Sequence, residues 1–124
     1  DVNAGYDPLY AEVFEKNNSA YVGKGAAISK YTGARGKSGS NDANAEYLGI
    51  LRKAFDDAKV EYQTAELGRI DAGGGGTIAY IPAAYGMDVI DIGVPILNMH
   101  APYEVSSKAD VYETTKCYKA FYEM

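Results

Sequence analysis

Sulfur and imidazole are both scarce in this sequence. Its 124 residues hold one cysteine, Cys117, so no internal disulfide can form. The segment Thr115-Lys116-Cys117-Tyr118 lies in a helical pattern and reads as a core or half-buried thiol rather than a reactive one. A lone cysteine points to a reducing compartment, and a cytoplasmic location is the expectation. There is one histidine, His100. No apolar run approaches the length needed to span a membrane, so no membrane partner is expected. There is no basic tract, and the formal net charge of -5 argues against nucleic acid or an anionic lipid surface as a partner. The chain carries neither an initiating methionine nor a signal-peptide pattern. Its first residue falls inside a motif described below, so a fragment of a longer protein is expected.

What is present is an ordinary globular composition: 47% hydrophobic, 23% charged, and rich in tyrosine. The length suits one domain with a small core. Asp7-Pro8 reads as a cap followed by proline in a first turn, with Tyr10, Val13 and Phe14 on one face of a short helix ending near Asn17-Asn18. Ala26 to Thr32 reads as a strand, and the Gly- and Ser-rich stretch from Gly33 to Ser40 as a loop. Tyr47, Leu48, Leu51, Ala54, Phe55 and Ala58 recur at three- and four-residue spacing and predict a helix with one apolar stripe.

Val60 to Leu67 reads as a strand, followed by a loop holding four consecutive glycines, Gly73 to Gly76. Thr77 to Tyr85 predicts a short helix closed by Gly86, with Pro82 arguing against it. Met87 to Gly93 is a near-continuous apolar strand of the kind buried in mid-sheet. Val94 to Val105 reads as a loop. A last helix spans about Ser107 to Phe121, with Val111, Tyr112, Thr115, Tyr118 and Tyr122 facing inward. Strands and helices in alternation define an α/β layer structure.

From the residues alone, no ligand cluster, acid pair or nucleophile–base pair can be assembled. His100 follows a buried strand, where open α/β sheets bind ligands, yet a surface histidine in a turn fits its position as well. The glycine run would let backbone approach a ligand, but it lacks the lysine of a nucleotide loop. Two rivals therefore stand at this point. One is a non-catalytic binding or structural α/β module, and the other, weaker because no lysine follows the run, is anion or nucleotide binding at the glycine loop.

Particular segments resemble a known family. Asp1-Val2-Asn3-Ala4-Gly5-Tyr6-Asp7-Pro8-Leu9-Tyr10 is similar to a metal-binding segment of the aspartyl aminopeptidase and aminopeptidase I family of zinc metallopeptidases. Ile96-Leu97-Asn98-Met99-His100-Ala101 resembles that family's Leu-Ser-Met-His-Ser segment. Between them Lys24-Gly25 to Lys30, Ser40-Asn41-Asp42-Ala43, Gly74 to Ile78 and Val89 to Gly93 follow the family's order.

The resemblance implies an α/β/α three-layer sandwich of which residues 1–124 are the C-terminal part. It implies two zinc ions, with Asp1 as the fourth ligand in chain order and His100 as the fifth. The other three ligands, the general base and an inserted dimerisation domain would lie upstream. The activity implied is removal of N-terminal residues from peptides by a homo-oligomeric enzyme, the fragment itself being inactive. Gly74, Gly75 and Thr77 would touch the substrate, and Glu104 is near enough in sequence to orient His100. Lys24 and Lys30 are the candidate cations for an acidic N-terminal residue. Asn98 and Ala101 depart from the family's serines on either side of the Met-His pair, leaving the substrate preference open.

Overall fold

The computed structural model describes residues 1–34, 38–69 and 75–124. Its largest buried cluster lies between two helices and one small sheet. That sheet has the order β5-β2-β6, where β2 is Ala26–Ser29, β5 is Tyr62–Thr64 and β6 is Asp91–Gly93. Strand β2 is wholly buried, parallel to β5 and antiparallel to β6. Because side chains alternate across a strand, Ala26 and Ile28 face the helices. Ala27 packs with Ala20 and Ala65 in a separate cluster.

Helix α1, Ala45–Asp57, forms as its periodicity predicts. Asn44 caps it by accepting the amides of Glu46 and Tyr47, and its Leu51 and Phe55 are buried against Ala26, Ile28 and Val60. The second long helix, α3, spans Lys108–Tyr122 and is capped by Ser107. Its position is right but its predicted inner face is not. Asp110, Thr114, Cys117 and Ala120 face the core, whereas Val111, Tyr112, Tyr118 and Tyr122 are exposed. The cause is hydrogen bonding. The Asp110 carboxylate accepts the amides of Gly23 at 2.6 Å and Gly25 at 2.8 Å, and Thr114 Oγ1 returns its proton to the Asp110 carbonyl at 2.7 Å. Polar residues with satisfied partners thus occupy the face that a hydrophobic pattern assigns to aliphatic ones. Cys117 is buried as expected, and loss of hydration pushes its thiol up to about 11.

Other sequence expectations are corrected. Pro8–Val13 and Lys16–Asn18 are 3-10 turns, with Tyr10 leaving helical geometry at φ -131°. The expected strand from Ala26 to Thr32 breaks at Lys30. Its second part, β3 (Tyr31–Ala34), forms a hairpin with β4 (Ser38–Asp42) inside the expected loop. The strand in Val60 to Leu67 shortens to β5. The helix after the glycines is the single turn α2, Tyr80–Ala83, ending before Gly86 at φ +77°. Met87 to Gly93 contributes only β6, at an edge of its sheet rather than its middle.

The expected loop Val94 to Val105 contains β7 (Pro95–Leu97), which lies between β1 (Asn3–Ala4) and β8 (Val105–Ser106) in a second sheet. Gly25 shows why the loop before β2 is glycine-rich. At φ +84° it is in the left-handed region, and a side chain there would overlap the Glu61 carbonyl.

Asp110→Ala should remove about 3 kcal/mol of stability, because the buried Gly25 amide and the half-buried Gly23 amide lose a charged acceptor. Urea denaturation of the chain checks this; a loss under about 1 kcal/mol would show the bonds to be incidental.

Candidate active site

Strand β1 runs parallel to β7 in the register Asn3 to Pro95 and Ala4 to Ile96. Asp1 therefore stands level with the end of β6. Its terminal ammonium donates to the Ile92 carbonyl at 3.2 Å. Its backbone lies so close to Gly93 that a side chain at 93 would overlap the Asp1 carbonyl. A cavity of about 220 Å³ opens beside Asp1, lined by Leu51, Phe55, Ile90, Ile92 and Phe121 among others.

His100 lies beyond the other end of the strand pair, in the turn between β7 and β8. Asn98 and His100 have φ of +58° and +69°, and the Ala101 amide closes the turn on the Asn98 carbonyl at 2.9 Å. Asparagine tolerates the left-handed region better than most residues, but histidine there is uncommon and costs energy. Glu104 pins the turn, its Oε1 accepting the His100 backbone amide at 2.6 Å. That bond corrects the expected role of Glu104: it holds the main chain of His100 rather than its ring.

Asp1 and His100 are both exposed, and no hydrogen bond joins them among the described residues. Asp1 lies two residues before Asn3, which pairs with the first residue of β7, and His100 lies three residues past its last, so the two stand at opposite ends of the β1–β7 pair. Among the described residues, no group of three or more His, Cys, Asp or Glu side chains is arranged to hold a metal.

Gly74 lies outside the described residues. Gly75 is half-buried, its carbonyl accepting the Gly33 amide at 3.1 Å. The Thr77 hydroxyl donates to Asp91 Oδ2 at 2.9 Å and accepts the Ala79 amide at 3.2 Å. Lys24 is exposed. Lys30 is paired with the Asp42 carboxylate, so it is not a free cation awaiting an acidic group.

Three further residues belong to this region and went unread in the sequence. Asp91 holds Thr77, Ser29 stands opposite Asp91 across β2 and β6, and buried Asn3 donates to Ser29 Oγ at 2.5 Å. A carboxylate inside the apolar run Val89 to Gly93 was the available signal. Glu66, two residues past β5, is a further titratable group. Burial pushes its carboxyl up to about 7, opposed by a hydrogen bond from the Tyr31 backbone; Asp42 raises it and Lys30 lowers it.

Residues 1–122 match the family model described as aminopeptidase I zinc metalloprotease (M18). The chain belongs to this family of zinc metallopeptidases. It is 64% identical over 121 residues to a probable M18 family aminopeptidase 1 of Clostridium acetobutylicum, covering 98% of this chain and 26% of the relative. A Thermotoga maritima protein of the same description is 48% identical over 123 residues, covering 99% of this chain and 27% of that one.

The crystal structure of aminopeptidase I from C. acetobutylicum superimposes with a TM-score of 0.92 over 98% of this chain and 26% of that one. The T. maritima M18 aminopeptidase structure gives 0.91 over 97% and 27%. The chain thus spans about a quarter of the length of these relatives. The mixed α/β architecture is shared with them. No helix among the described residues is long and apolar enough to cross a membrane.

Two outcomes follow from the local geometry. His100→Gly should stabilise the isolated chain by about 1 kcal/mol, since glycine accepts a positive φ without strain. A lower urea midpoint for that variant would contradict a strained turn.

The second concerns pH. The Glu66 carboxyl titrates near 4.5 when unfolded and near 7 when folded. Between those values the folded state binds more protons, so stability present below about pH 4.5 declines as pH rises to about 7 and is level above. Glu66→Gln should abolish that decline, worth on the order of 2 kcal/mol. Denaturation midpoints at pH 5 and pH 8 that shift equally in both proteins would refute it.

Proposed function

We propose that this chain is the C-terminal part of a zinc-dependent aminopeptidase that removes N-terminal residues from peptides, with Asp1 and His100 supplying two of its metal ligands. The family match across residues 1–122 is the observation that carries this reading. The donor set suits it, since carboxylate oxygen and imidazole nitrogen are ordinary zinc ligands. The resemblance of the Asp1 and His100 segments to the family's metal-binding segments implies a pair of ions. Two zinc ions per site is accordingly the proposed stoichiometry. When bound, such a pair lowers the pKa of a shared water and polarises a scissile carbonyl.

The chain's own residues orient rather than react. The Glu104 bond fixes the backbone from which the His100 ring projects, and the left-handed turn is the kind of strained geometry that collects at functional sites. Register with β7 fixes the backbone of Asp1. The Gly75 to Thr77 loop offers main-chain amides to a peptide. The general base and remaining ligands belong to the part of the relatives that this chain does not cover, so the 124-residue chain alone is expected to be inactive.

The complete enzyme is proposed to have the α/β/α sandwich fold, to act in the cytoplasm, and to assemble as a homo-oligomer. A solved relative from yeast, 22% identical, is described as a dodecamer. A preference for acidic N-terminal residues would rest on Lys24, because Lys30 is engaged by Asp42.

In a full-length protein carrying this sequence, His100→Ala and Asp1→Ala should each lower bound zinc and reduce turnover by on the order of 100-fold or more. Circular dichroism should remain unchanged. Undiminished zinc and activity in both variants would overturn the ligand assignment. Equal hydrolysis of aspartyl and leucyl substrates, before and after Lys24→Ala, would overturn the acidic preference.

A further inference from the structure

The hydroxyl of Thr77 is already committed. Its single proton goes to Asp91 Oδ2 at 2.9 Å, its oxygen accepts the Ala79 amide at 3.2 Å, and Thr32 Oγ1 lies 3.4 Å away. A hydroxyl has one donor and two acceptor sites, so this arrangement leaves no proton for a substrate. The amides of Gly76 and Thr77, by contrast, meet no acceptor among the described residues. The peptide-facing chemistry of this loop therefore lies in its backbone, and its side chain is an anchor.

The anchor shares a sheet face with a polar pair that includes the strand after Asp1. Asp91 on β6 stands directly opposite Ser29 on β2, and Ser29 Oγ accepts the Asn3 side-chain amide at 2.5 Å. Asn3 is 1% exposed, and its Oδ1 has no partner among the described residues. Exchanging the amide oxygen and nitrogen would leave the nitrogen unpartnered instead, so this end of the row stays open in either orientation. One row of polar side chains thus runs from β1, past β2 and β6, to the glycine loop. It lies on the sheet face turned away from α1 and α3.

We infer that Asp91 is a positioning residue for the peptidase reaction. Its carboxylate fixes the Thr77 hydroxyl and so sets the Gly75 to Thr77 backbone, aiming the Gly76 and Thr77 amides at the peptide backbone of the substrate. The inference rests on the aminopeptidase reading above. A hydrogen bond to a carboxylate is stronger than a neutral one, and donors held in place before binding lose less entropy when substrate arrives. The loop needs such a tether because its glycines supply no side-chain contacts of their own.

A double-mutant cycle in the full-length aminopeptidase tests this, using Asp91→Ala, Thr77→Val and the pair, with kcat, KM and bound zinc read separately. Each single variant should raise KM about tenfold and change kcat less than about threefold, and the pair should be no worse than either alone. Bound zinc should not change. Asp91→Asn keeps an oxygen acceptor and should raise KM no more than about threefold; being nearly isosteric, it carries the test if Asp91→Ala does not fold.

Losses that multiply in an active, zinc-loaded enzyme would overturn the inference while leaving the functional reading intact. Zinc loss together with equal falls in kcat and kcat/KM would assign Asp91 to the metal scaffold instead and overturn it as well. A wild-type enzyme without aminopeptidase activity would overturn both.

Discussion

The structure hangs on one buried carboxylate. Asp110, near the start of α3, accepts the amides of Gly23 and Gly25, and those two bonds tie the C-terminal helix to the loop that feeds the central strand β2. A charge kept from water is tolerated only when strong donors replace hydration, and two convergent backbone amides do so here. The loop can offer both because Gly23 and Gly25 take positive φ, and because Gly25 lies against the Glu61 carbonyl where a side chain would overlap. Helix, loop and sheet are thereby fixed together, with the apolar cluster of Ile28, Leu51, Phe55 and Cys117 between them.

That core occupies one face of the β5-β2-β6 sheet, and the residues of functional interest collect on the other face or at the strand ends. Asp1 is placed by β1 beside the Ile92 carbonyl, His100 by a strained turn after β7, and Thr77 by Asp91. Each is held by main-chain geometry or by a short polar bond rather than by apolar packing. The division is physically sensible. Apolar burial supplies stability without direction, whereas hydrogen bonds supply direction with little net stability.

Much of this was legible in the sequence where a period or a cap governs the outcome. The stripe from Tyr47 to Ala58 located α1, and the helix expected from about Ser107 to Phe121 matches α3. What failed to read was decided by partners distant in sequence. No local pattern reveals that Asp110 and Thr114 turn inward, because the amides that satisfy Asp110 are more than eighty residues away. Short strands such as β7 and β8 carry too few residues for alternation to register, so they read as loop. The family relationship was carried by the Asp1 to Tyr10 and Ile96 to Ala101 segments, and the family match bears it out. Asp91 was passed over because a lone acid in an apolar strand resembles an edge residue until Thr77 is seen to meet it.

The close approach of the Asp1 backbone to Gly93 has a separate consequence. Position 93 ends β6, outside the cluster between the helices, so a methyl group there would displace the chain at Asp1 more than it would disturb the core. If Asp1 has the proposed ligand role, position 93 is a place where sequence change would detune the metal site without unfolding the protein. In a screen that scores abundance and activity separately, such substitutions would give a class of full-level, low-output proteins whose lesion touches no ligand.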